Sequence, residues 1–71
     1  MPLADMREVY RLKEQEQRDQ LRFLHESNSK HFRQEGDGPL QDITDEIKAE
    51  YERHIETYAS LIAEIDSILG A

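Results

Sequence analysis

The stretch Gly36-Asp37-Gly38-Pro39 holds two of the three glycines and one of the two prolines in a chain of 71 residues. Glycine supplies the left-handed backbone that closes a helix. Proline cannot continue a helix but opens one well. A tight turn at 36–39 therefore divides a single 1–71 domain into two arms of similar length. The expected fold is all-α, an antiparallel helical hairpin with helices over about 3–34 and 39–69. No internal repeat relates the arms, and no low-complexity segment interrupts them.

The second arm carries the clearer helical pattern. At 100° per residue, Leu40, Ile43, Ile47, Tyr51, Ile55, Tyr58, Leu61, Ile62, Ile65, Ile68 and Leu69 fall inside a stripe about 140° wide. Asp42 and Asp45 resemble a cap signal, but Leu40 fits the stripe, so the helix is expected to begin at Pro39. Gly70 ends it. A stripe this broad exceeds a strict two-stranded coiled-coil seam, so contact with more than one neighbouring helix is expected.

The first arm is a weaker helix. Leu3, Met6, Tyr10, Leu21, Leu24 and Phe32 define its seam, and Asp5 with Glu8 resembles a capping box. The segment Lys13 to Gln20 has no apolar residue, and Gln17 and Asn28 fall on the seam. Ser27-Asn28-Ser29 is a poor helix stretch where a kink or break is expected, and a break there would make a three-helix chain the alternative. Val9, Leu12 and Phe23 form a thinner apolar patch off the seam.

Composition narrows the class. Sixteen acids against nine bases give a net charge of −7, and there is no cysteine. Disulfides, Cys-ligated zinc and thiol chemistry are excluded. A chain of this size buries only about 60% of its unfolded surface and needs help to be stable. Without disulfides or a metal, self-association is the expected help, here two hairpins packing into a four-helix bundle homodimer. No signal-peptide pattern follows Met1 and no apolar run approaches the roughly 18 residues of a membrane span, so a cytoplasmic protein without a membrane partner is expected.

Each pattern that carries chemistry has a plainer structural reading. His54 lies inside the apolar stripe with Glu50 one turn before it. The residues three before His25, His31 and His54 are Arg22, Asn28 and Tyr51, so no Glu-x-x-His metal pattern exists. A half-buried histidine hydrogen-bonded to Glu50, Tyr51 or Tyr58 is the expectation, with no metal and no cofactor. No Gly-rich phosphate loop, HExxH or GxSxG is present, and the serines have no base at motif spacing. Neither enzyme activity nor a small-molecule substrate is expected. Gln17, Asn28 and His54 are read instead as polar seam residues that set pairing register.

Charge is divided unevenly. Residues 1–36 carry seven acids and seven bases, whereas 37–71 carry nine acids and two bases. Arg7, Arg11, Arg18, Arg22 and Arg33 share one sector of the first helix, an arginine ridge beside the seam. With the turn centred at Asp37, Arg18 would stand level with Glu56 and Arg22 with Glu52, which would neutralise the ridge across the hairpin or a dimer interface. The expected function is therefore that of a small acidic protein–protein interaction module: a regulator, adaptor, inhibitor or co-chaperone. Its core and interface would be Leu40, Ile47, Tyr51, Ile55, Tyr58, Ile62 and Ile65, and its recognition ridge Arg7, Arg11, Arg18 and Arg22. A helical hairpin presenting this ridge to nucleic acid is the alternative, against which the net charge weighs.

Overall fold

The computed structural model describes residues 2–70, so both ends of the expected 1–71 domain lie outside it. Two 25-residue helices, α1 (Leu3–Ser27) and α2 (Thr44–Ile68), pack against each other as an antiparallel hairpin. Between them run two-residue strands, β1 (Phe32–Arg33) and β2 (Gln41–Asp42), in an antiparallel ribbon pairing Phe32 with Asp42 and Arg33 with Gln41.

The hairpin follows the expectation, but its inner helix ends do not. α1 stops at Ser27 and not near residue 34, and α2 starts at Thr44 and not at 39. The cause is local. Asn28 takes the left-handed conformation, with φ 54° and ψ 32°, and terminates α1. Asparagine tolerates that region better than most residues. Beside it the Ser27 and Ser29 hydroxyls bond each other at 2.7 Å. Chain beyond the break forms the ribbon, so the three-helix alternative fails as well.

Within the ribbon, a turn over Glu35–Gly38 is closed by the Gly38 amide donating to the Glu35 carbonyl at 2.9 Å. Gly36 has φ +56° at the first central position and Asp37 does not share the positive φ, which is the pattern of a type II′ turn. The glycine-proline stretch thus closes a strand hairpin and not a helix–helix corner. Pro39 opens no helix, and Leu40 stands 65% exposed beside the loop.

Thr44 ties the ribbon to α2. Its hydroxyl donates to Asp42 at 2.6 Å and accepts from the His31 amide at 2.8 Å, while the His31 carbonyl accepts from the Ile43 amide. Asp42 also accepts from the Thr44 amide at 2.9 Å, so one carboxylate oxygen holds two donors at the start of α2. Thr44 is 6% exposed, and its polar atoms are satisfied.

The core is thin. Among the described residues only Leu24, Ile65 and Thr44 are buried, and no side chain is fully buried. The molecule measures 54 × 26 × 16 Å with a radius of gyration of 16.4 Å. A globular chain of this length would have a radius near 11 Å. Its surface, 5398 Å², exceeds the roughly 4,600 Å² of a typical monomer of this mass. The 16 Å dimension is one layer of helices, whereas stable domains are built from two packed layers.

Candidate interaction surface

An ion pair, a ring stack and a hydrogen bond span the α1–α2 seam. Near the termini, the Arg7 guanidinium donates to both carboxylate oxygens of Asp66, at 2.5 and 3.4 Å. Further along, the Tyr10 and Tyr58 rings stack. Towards the loop, His54 is exposed, not half-buried as expected. Its Nδ1 lies 3.1 Å from Gln17 Oε1 across the seam, not on Glu50, Tyr51 or Tyr58 of its own helix. Gln17 and His54, two of the three polar seam residues, therefore meet across the helices. The third does not join them, because Asn28 lies past the end of α1.

The expected pairs of Arg18 with Glu56 and Arg22 with Glu52 are absent from the chain. Gln17 stands level with His54, so Arg18 is level with about Arg53. The ridge is instead neutralised mostly within α1. Arg11 forms two hydrogen bonds to Glu8, at 2.6 and 3.0 Å, and holds that carboxyl below its usual range. Arg18 reaches Glu14 at 3.4 Å and Arg22 reaches Asp19 at 3.5 Å. These acids lie at the borders of the arginine sector, three or four residues away along the helix, where such pairs form. Only Arg7 of the four ridge residues bridges to α2. Arg33 is not on the helix at all; it sits in β1, 3.9 Å from Glu46. These exposed pairs are individually weak. They lower the net charge of the ridge but leave Arg18 and Arg22 open to solvent.

Of the expected interface core, Ile65 is buried, Ile47, Tyr51, Ile55, Tyr58 and Ile62 are half-buried, and Leu40 is exposed and off the helix. The half-buried five follow from a stripe broader than one partner helix can cover. Sequence reasoning placed Leu24 on the seam but not among the core residues, although it is the most buried side chain of α1. It missed Thr44 as well, for which the spacing Asp42-Ile43-Thr44 was the available signal.

Two grooves flank the seam. One, of about 400 Å³, is lined by Arg18, Leu21, Arg22, His25 and Glu26 of α1 with Ile55 of α2. The other, of about 230 Å³, is lined by Gln17, Ile47, Glu50, Tyr51 and His54. Both are open troughs between helices. Among the described residues no group of three or more His, Asp or Glu side chains is placed to hold a metal ion, and no helix is long and apolar enough to cross a membrane. No protein-family model matches the chain, and no similar curated protein or solved structure was found.

Proposed function

We propose that this chain is a protein–protein interaction module that acts through helix packing in a homo-oligomer. The observation that carries the reading is the single-layer fold, with no fully buried side chain among the described residues. Half-buried Ile47, Tyr51, Ile55, Tyr58 and Ile62 line an apolar stripe that α1 covers only in part. Burying apolar area is worth about 25 cal/mol per Å², and a second hairpin supplies the missing layer. A regulator, adaptor, inhibitor or co-chaperone role fits a module that acts through helix packing.

The ridge serves a nucleic-acid reading less well. Each of its four helical arginines holds a carboxylate, and α2 adds seven acids against two bases.

Sedimentation equilibrium across a wide concentration range tests the proposal. The expected result is a mass near twice 8.4 kDa, with a melting temperature that rises with protein concentration. A monomeric mass throughout, with a cooperative melt independent of concentration, overturns it.

A further inference from the structure

We infer that a second copy of this chain docks on the arginine-flanked side of the hairpin, laying its α2 over α1 with both loops at the same end. The inference rests on the self-association reading and specifies its geometry.

The side is marked by Ile55, which shares its groove with Arg18, Leu21 and Arg22. Arg7 and Arg18 are about 20° apart on the helical wheel, so the Arg7–Asp66 bridge lies on the same side. Ile62, seven residues after Ile55, continues the apolar strip there. The face is large enough. Its 54 × 26 Å outline is a footprint of roughly 1,400 Å², against the about 800 Å² per partner that a stable interface requires.

Charge selects the orientation. Two twofold arrangements stack this face on itself. With loops at opposite ends, α1 lies antiparallel on the second α1. Its midpoint is near Gln15, so Arg7 would meet Arg22 of the second copy and Arg11 would meet Arg18. α2, with seven acids against two bases, would then face its own copy. With loops at the same end, α1 lies on α2 of the second copy. The twofold axis then runs along the helices and preserves height, so Arg18 comes level with residues 50–55 of the second copy, with Glu52 among them. Arg18 then meets an acidic position of α2, and the Arg7–Arg22 and Arg11–Arg18 approaches are avoided, although Arg22 comes level with Lys48 of the second copy.

The absence of cysteine makes the test clean, because Asp37→Cys introduces a single labelling site in the exposed turn. Pulsed electron-spin distance measurement between nitroxides on the two copies reads the arrangement. Loops at the same end place the labels roughly 10–25 Å apart, a few interhelical spacings. Loops at opposite ends place them near the 54 Å length of the molecule, and that result overturns the inference while leaving self-association standing. A monomeric mass overturns both. Charge exchange is the second readout, with helicity monitored to verify folding. Arg18→Glu and Glu52→Arg each raise the dimer dissociation constant several-fold, and the double variant recovers most of the loss. Additive losses without recovery exclude the Arg18–Glu52 contact and the orientation with it.

Discussion

The rings of Tyr10 and Tyr58 stack across the helix seam, with centroids 6.0 Å apart and planes 30° from parallel. Both are half-buried, so the contact joins apolar burial to a specific ring geometry. Such a pair contributes about 0.5–1.5 kcal/mol beyond its buried area. In a double-mutant cycle of Tyr10→Leu and Tyr58→Leu, a coupling of that size is expected from denaturant unfolding. Strictly additive losses would show that the rings act independently.

Thr44 is a buried hydroxyl with one donated and one accepted hydrogen bond. Thr44→Val keeps the shape but leaves the His31 amide without its partner. The expected cost is about 1–3 kcal/mol, which lowers the melting temperature by several degrees in a domain of this size. An unchanged melt would mean that water replaces the hydroxyl.

Asp42 gives the fold an acid sensitivity. The Thr44 hydroxyl, and after it the Thr44 amide, hold this carboxyl below its ordinary value of 3.8. A native value lower than the unfolded one means that stability is fully present above pH 3.8. It is lost as the pH falls below that value, through the native one. Asp42→Asn should therefore flatten the acid limb of the stability curve below about pH 4. Parallel acid-unfolding curves for the two proteins would count against the role of this carboxylate.

At Asn28 the backbone, and not a packing contact, sets the residue. Asn28→Gly should leave stability unchanged or slightly raised, whereas Asn28→Val should cost about 1–2 kcal/mol, because a β-branched side chain resists φ 54°. Equal effects of the two substitutions would argue that the left-handed cap is not required.

Leu24 and Phe23 are neighbours with opposite fates, 5% and 61% exposed. Leu24→Ala is expected to cost about 2–4 kcal/mol, since it empties one of the few buried positions. Phe23→Ser should move stability by no more than about 0.5 kcal/mol. A large loss at Phe23 would reveal a second buried surface in the assembled protein.

The helical arms were legible because the apolar period of α2 runs unbroken from Ile43 to Ile68, and no local competitor opposes it. Leu40 and Phe32 also fit that arithmetic, yet the structure places both in the ribbon region, 65% and 54% exposed. A wheel extends a helix for as long as its angles agree. It carries no term for the left-handed turn at Asn28 or for the backbone bonds of the Phe32–Arg33 and Gln41–Asp42 pairing. The weak stretch at Ser27–Ser29 was visible, but whether it bends or ends a helix depends on what the following residues can pair with.

By itself the sequence determined two amphipathic segments, a punctuated middle and a lopsided distribution of charge, because periodicity and composition are properties of neighbouring residues. Tertiary structure alone decided that Arg7 crosses to Asp66 while Arg11, Arg18 and Arg22 stay on their own helix, and that Gln17 rather than Asn28 faces His54. Those outcomes depend on the relative height and rotation of two helices. The intervening ribbon and the seam packing set both, and no local pattern encodes either.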